Sequence, residues 1–298
     1  MIMNGGVKLD TRQKIKIGKR RLNRSLAGNI GINIFLVILG LFMALPLVYA
    51  ISNAFKPLDE LFIFPPQFFV RHPTINNFID LFSLISNSWV PFTRYLFNTV
   101  FITAVGTAGQ VFLASIAAYA LAKHRFPGSK LIFTSIVLSL MFSPVVTAIP
   151  NYLVMSSFKW IDTYFSVIVP AFQSSLGLYL MKQFMETVPD SLIEAARIDG
   201  ENEFGVFWKI VMPAVKPAWL TLIIFSVQGL WNYTGGTYIY SEQLKPLTVA
   251  LNQIMAGGIA RAGTGAAVAV IMMLVPIILF LFIQSNIIET MSTSGMKD

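Results

Sequence analysis

Reactive side chains are scarce in this sequence, and the scarcity narrows its chemistry. There is no cysteine among 298 residues, which excludes disulfides, thiolate catalysis and cysteine-type zinc sites. The two histidines, His72 and His124, are far apart and read as ordinary loop residues, not a metal pair. No G-x-x-x-x-G-K-[ST] loop is present, so the chain carries no phosphate cradle for hydrolysing ATP itself. No catalytic residue, cofactor or metal is expected. What remains are neutral polar and aromatic side chains inside apolar stretches. Gln173, Ser174 and Ser175 form one group; Gln228, Trp231, Asn232 and Tyr233 form another. Amides and hydroxyls beside aromatic faces suit a neutral, hydroxyl-rich ligand such as a sugar. The competing reading makes Trp231 an interface anchor and uses Gln228 or Asn232 to bond neighbouring helices.

A third group has another character. Residues 188–213 read VPDSLIEAARIDGENEFGVFWKIVMP, charged and helical in pattern within a greasy chain. Ser191 and Glu194 have the spacing of a capping box opening a short helix behind Pro189. Leu192, Ala195 and Ala196 can share a face, with Glu194 and Arg197 beside it. Gly200 suits a left-handed helix stop. Two alanines would give a low surface that another protein could approach closely. Phe204, Phe207, Trp208 and Val211 then recur at helical spacing, a stripe that either packs on the protein or lies in the membrane interface. Pro213 and Pro217 should shape the return to the membrane.

The elements positioning these groups are set by composition. Hydrophobic residues make up 55% of the chain and charged ones only 12%, about half the charged share of a soluble domain. Mean hydropathy is +0.67. Uncharged runs cover 25–55, 95–122, 131–158, 163–181, 217–241 and 262–288, each longer than the roughly 18 residues that suggest a membrane span. The expectation is an all-α, polytopic membrane protein with six transmembrane helices. The 163–181 run is the thinnest, with Pro170 inside it. The first span reads as a retained helix because no small-residue cleavage site follows it. A short helix is expected at TINNFIDLF, residues 74–82, on the outer membrane face.

Net charge is +8, from 22 basic and 14 acidic residues. Sixteen of the basic residues fall in the N-terminal tail, the second and fourth loops and the C-terminal tail; six fall in the other loops. The basic-rich side should be cytoplasmic, and both termini with it. Residues 1–28 then form a basic cytoplasmic tail near anionic lipid, 29–288 the membrane domain with its 188–213 loop, and 289–298 a cytoplasmic tail. Nucleic acid is not an expected partner of so apolar a chain.

The stretch EAARIDG, Glu194–Gly200, followed by Ile210 and Pro213, resembles the EAA loop of ATP-binding-cassette importer permeases. The likeness extends through 98–128, 178–200, 231–251 and the end of the chain. It is closest in kind to the maltose-type sugar permeases, the second of the two subunits that pair in the membrane. The resemblance implies the type I importer permease fold in a bacterial or archaeal cell membrane. It also implies a pseudo-symmetric second permease, two copies of a cytoplasmic ATPase and an extracytoplasmic solute-binding protein. By the same resemblance, Glu194 makes polar contacts with the ATPase, Ala195 and Ala196 permit close packing and Gly200 allows the turn, with Asp199 among the ATPase-coupling residues. Gln173, Ser174, Gln228, Trp231, Asn232 and Tyr233 are the expected pathway residues. After Trp-Asn the chain departs from the family, with YTGG at 233–236. A same-type permease for a polyol, glycerol phosphate or osmolyte is the alternative, followed by a non-transporting scaffold.

Overall fold

The computed structural model describes residues 26–86, 89–234 and 238–294. Residues 1–25 of the basic tail, Gly235, Gly236 and the last four residues lie outside them. In chain order the helices are α1 (Leu26–Ala54), α2 (Leu58–Leu61), α3 (Asn76–Ser86), α4 (Phe92–Lys123), α5 (Ser129–Ser139), α6 (Pro144–Ser157) and α7 (Phe165–Phe172). They continue with α8 (Ser175–Glu186), α9 (Asp190–Ile198), α10 (Glu203–Gly205), α11 (Met212–Ala214), α12 (Lys216–Trp231), α13 (Leu247–Met255) and α14 (Ala262–Ser294). No strand occurs among the described residues, and the expected all-α class holds.

The chain divides into two units, residues 1–48 and 49–298. The first holds most of α1, whose apolar stretch Gly28–Ala54 has a mean hydropathy of 2.7. The second is organised on α4, which packs against α7, α8 and α12, while α12 also packs on α14. Two contacts show why α4 needs glycine. A Cβ on Gly109 would stand 2.1 Å from the Phe172 ring, and one on Gly106 would stand 2.7 Å from Leu230. The missing side chains let α7 and α12 approach α4 closely.

Three of the six uncharged runs form helices long and apolar enough to cross a bilayer alone: α1, α4 and the stretch 259–284 that includes α14. A fourth, α12, is reached through an 80° bend from residues 203–214. The other two runs are not single helices. Residues 131–158 are divided between α5 and α6, and 163–181 between α7 and α8. Pro144 occupies the first turn of α6, where its missing N–H costs no helical bond. Gln173 is extended after α7, and Ser174 caps α8 by accepting from Gly177 N at 2.9 Å. The expectation of one continuous helix per run is corrected at these two places. Uncharged length reports hydropathy, and it is blind to a break whose backbone groups are satisfied locally.

The expected helix at TINNFIDLF is present as α3. Its Leu81 and Ile85 are buried with Tyr95, Leu251 and Val268. At one end of α4, Asn98 Nδ2 donates to Gln243 O (2.8 Å) and Lys245 O (3.0 Å), while Tyr164 OH donates to Asn98 Oδ1 (2.6 Å). Asp162, in the left-handed region at φ 60°, accepts from Tyr240 N, Ser241 N and the Ser241 hydroxyl. Those bonds hold its carboxyl below the usual carboxylate range. The turn before α7 and the loop before α13 are thereby tied together.

Candidate functional site

The segment between α8 and α12 is built from its backbone ends inward. Pro189, at φ −61°, stands at the N-cap of α9 and Asp190 in its first turn, with no side-chain cap. The expected capping box of Ser191 and Glu194 does not form: the helix begins one residue earlier, so Ser191 is already inside its first turn. Asp190 instead meets Lys123 at the end of α4. Lys123 Nζ donates to Asp190 Oδ1 (2.7 Å) and to Val188 O (2.6 Å). This bond and the lysine charge hold the Asp190 carboxyl below its ordinary range.

The far end of α9 closes as the sequence suggests. Gly200 has φ 89°. Its N–H reaches Arg197 O at 3.1 Å, and Glu201 N–H reaches Ala196 O at 3.0 Å, the paired bonds of a Schellman stop. Beyond it, Asn202 accepts from Gly205 N at 2.7 Å. Glu203 gathers three partners: Tyr119 OH donates at 3.0 Å, Arg197 Nε at 2.8 Å, and His124 Nε2 lies 3.6 Å away. Lys209 pairs with Glu201 at 2.6 Å.

Packing decides which faces are available. Ile193 and Ala196 are buried with Met181, Met185, Val206, Phe207, Val211 and Met212. Ala195, Glu194, Asp199 and Gly200 are exposed, as are Leu192 (51%) and Ile198 (86%). The two-alanine face is thus corrected. Successive helical residues are about 100° apart, so Ala195 and Ala196 cannot both face outward once Ile193 turns inward. The stripe after Gly205 is corrected too. Val206–Val211 is a π-helical turn, and its wider spacing puts Val206 and Val211 on one buried side. Phe207 is buried with them, while Phe204 (68% exposed) and Trp208 (41%) are not. Pro217 enters the first turn of α12 just after the 80° bend.

The expected pathway residues do not converge. Gln173 and Ser174 lie at the α7–α8 break and line a cavity of 580 Å³ with Ser135, Ser139 and Ser175. Gln173 and Ser175 also border a second cavity of 340 Å³ with Thr147 and Asn151 of α6. Gln228 and Asn232 are exposed at the end of α12, where Asn232 Nδ2 donates to Gln228 O at 2.8 Å. Tyr233 packs beside Ile102, Val167 and Ile168. Trp231 is only 4% exposed, and its indole N–H donates to Met272 O at 3.0 Å. Its carbonyl accepts from the Thr248 hydroxyl at 2.7 Å. Trp231 thus ties α12 to α13 and α14 instead of lining either cavity. Thr147 and Asn151 were missed because nothing in an uncharged run marks which polar residues meet across a break. Leu192 is exposed on the Ala195 side, as the sequence suggests, whereas Ile198 was missed because apolar residues on a short amphipathic helix are ordinarily assigned to its buried face.

Helices long and apolar enough to cross a bilayer define an integral membrane protein. The chain belongs to the family described as binding-protein-dependent transport system inner membrane component, which residues 110–292 match. It is a permease subunit of an ATP-binding-cassette importer. Protein LplC of Bacillus subtilis (strain 168) is 35% identical over 228 residues, 74% of this chain and 73% of that protein. The polygalacturonan/rhamnogalacturonan transport system permease protein YtcP of the same strain is 30% identical over 269 residues, 85% and 92% of the two chains. In fold, the chain is similar to a solved bacterial ABC transporter involved in the import of the acidic polysaccharide alginate. That likeness has a TM-score of 0.71 at 23% identity and covers 88% of this chain and 98% of that one.

Proposed function

We propose that this subunit forms part of the pathway for a sugar or oligosaccharide and transmits ATP-driven motion to it through α9. The observation that carries the coupling role is the division of α9 into two faces. Ile193 and Ala196 are locked into the membrane domain, while Glu194, Ala195, Ile198 and Asp199 stand free for a partner. A short helix seated in a packed core moves with that core as a body. The saccharide reading is supported by the name of the YtcP relative and by the neutral polar groups at the helix breaks.

The partners in this reading are a second permease, two copies of a cytoplasmic ATPase and an external solute-binding protein. In this reading α9 and both termini lie in the cytoplasm of a bacterial or archaeal cell, and the distribution of the basic residues supports that side. Ala195→Trp tests the coupling role in the assembled importer. An indole cannot enter a contact shaped for a methyl group. Normal membrane abundance with loss of uptake and of ATPase stimulation is the expected result. Full uptake at equal abundance would remove α9 from the mechanism. Reporter fusions at Ser129 and Gly257 should report opposite sides of the membrane.

A further inference from the structure

Apart from the polar crevice that the two cavities form at the helix breaks, the protein has a larger and almost wholly apolar groove of 740 Å³. One wall is α4 from Thr103 to Ser115, and the other is α12 from Trp219 to Val227. The π-helical turn closes one end with Phe207, Trp208 and Met212. No charged residue lines the groove. Of its three hydroxyls, Thr107 is bonded to Ser226 at 3.0 Å and Ser115 donates to Val111 O at 2.6 Å. The third, on Thr103 at the other end, has no partner among the described residues. A polar solute would find little to bond there. Hydrocarbon would not need to, and both walls belong to membrane-spanning stretches. From Thr103 to Ser115 is roughly 18 Å at about 1.5 Å per residue, close to the roughly 15 Å depth of one leaflet. Phe112 (46% exposed) and Trp208 (41%) line the groove and stay accessible, so its flank is open.

The end at the π-helical turn has a different character. Trp219 donates its indole N–H to Met212 O at 3.1 Å, whereas the indole N–H of Trp208 has no hydrogen-bond partner among the described residues. Lys209 follows Trp208. Its side chain is 67% exposed and its Nζ pairs with Glu201 at 2.6 Å, which uses one of the three donors of an ammonium. Lys216 opens α12 one turn before Trp219, on the same side of the helix. Tryptophan and lysine at the edge of an apolar surface are the side chains that sit at headgroup depth. We propose that this groove seats an anionic phospholipid from the leaflet on the α9 side. Its acyl chain lies between α4 and α12, and its phosphate meets the Trp208 N–H, Lys209 and Lys216. A headgroup with net negative charge gains from the two lysines, whereas a zwitterionic one brings its own cation to them. The lipid touches α4, the π-helical turn and α12 where the chain bends by 80°. The inference is independent of which solute is carried.

Photocrosslinking identifies the occupant directly. The complete importer is reconstituted in vesicles of phosphatidylglycerol and phosphatidylcholine in equal amounts, and co-purification of the ATPase verifies assembly. Benzoylphenylalanine replaces Phe112 in one preparation. In the control it replaces Phe282, on the exposed side of α14. After irradiation, mass spectrometry of the crosslinked peptides shows what each position touched. Relative to the control, phosphatidylglycerol adducts at Phe112 should be enriched at least threefold over phosphatidylcholine adducts. Lys209→Gln combined with Lys216→Gln should return that ratio to the control value. Benzoylphenylalanine in place of Ile223, which also lines the groove, carries the test if the Phe112 replacement fails to assemble. Equal ratios at the groove and the control would make the groove ordinary lipid boundary and overturn the proposal. Adducts to a neighbouring subunit in place of lipid would make it a subunit interface and overturn it equally. Groove positions without lipid adducts while the control yields them would do the same, and enrichment that survives both lysine substitutions would overturn the headgroup assignment. Uptake and ATPase activity of the unsubstituted importer in the same vesicles report on the proposed function separately, since the crosslinks read occupancy and not transport.

Discussion

The α9 segment and the helix-break crevice are both interruptions of membrane-spanning chain, yet they are stabilised in opposite ways. Around α9 the exposed backbone ends and turns are met by charge: Lys123 on Val188 O and Asp190, Arg197 and Tyr119 on Glu203, Lys209 on Glu201. Under these bonds lies a continuous apolar core. At the crevice the bonds are neutral, Ser174 to Gly177 and Ser139 to Ser175, and open volume takes the place of a core. Charge-assisted bonds are roughly twice as strong as neutral ones. In the roles proposed above, α9 must hold its shape under load, whereas the helix breaks must exchange their bonds with a ligand that leaves. The contrast predicts that the first region is held more firmly than the second.

The sharpest way to break this comparison is at Ala196. Ala196→Trp drives an indole into the packed core of Ile193, Val206 and Phe207, where overpacking costs about 1–3 kcal/mol or more. The expected result is loss of folded protein from the membrane, in contrast to the well-folded but uncoupled Ala195→Trp. Equal abundance of the two variants would show that the α9 core is as yielding as the crevice. Lys123→Met comes next. It keeps the apolar stem but leaves the Val188 carbonyl without its cationic donor, at a cost of about 1–3 kcal/mol for an unsatisfied buried group. Amide exchange across 190–199 should accelerate roughly tenfold, while exchange at 173–177 stays unchanged.

Gly109→Ala probes the other region. The new methyl would displace the Phe172 ring, which borders the 580 Å³ cavity, at a cost of about 1–3 kcal/mol. Uptake should fall more than membrane abundance does, because Phe172 ends the helix that leads into the crevice. An unaltered transport rate would show that the walls there are not set by this contact. The smallest effect concerns pH. The folded Asp190 carboxyl is depressed by its Lys123 bond, so the bond stabilises the segment above the unfolded carboxyl value of about 4. That contribution disappears as pH falls through the lower folded value. Exchange in the first turn of α9, corrected for intrinsic rates, should rise below about pH 4 in the parent chain. In Asp190→Asn this rise should be absent.

How far the sequence could be read differs between these same regions. Gly200 was legible because a left-handed stop is a local property of the backbone. The length of α9 was legible for a similar reason, since Pro189 and Gly200 bracket it. The capping box was misread because Ser191 has cap chemistry while Pro189 and the Lys123–Asp190 pair set the actual start of the helix. Trp231 was offered to substrate as an aromatic beside an amide, but Met272, 41 residues away, accepts its N–H.

By itself the sequence determined the solvent and the class. Charge-free stretches too long and apolar for water require helices in a bilayer, and EAARIDG marks a permease because that signal is carried by contiguous residues. Only the tertiary structure decided which alanine faces inward. That depends on how a nine-residue helix docks against the π-turn of Val206–Val211, and two adjacent alanines differ by nothing but that register. It also decided that two of the apolar runs are divided and that Ser139 meets Ser175, 36 residues away. Hydropathy sums over a run irrespective of its order. A break is tolerated in lipid only where another break or a polar side chain is brought beside it, and that juxtaposition is a property of the folded chain.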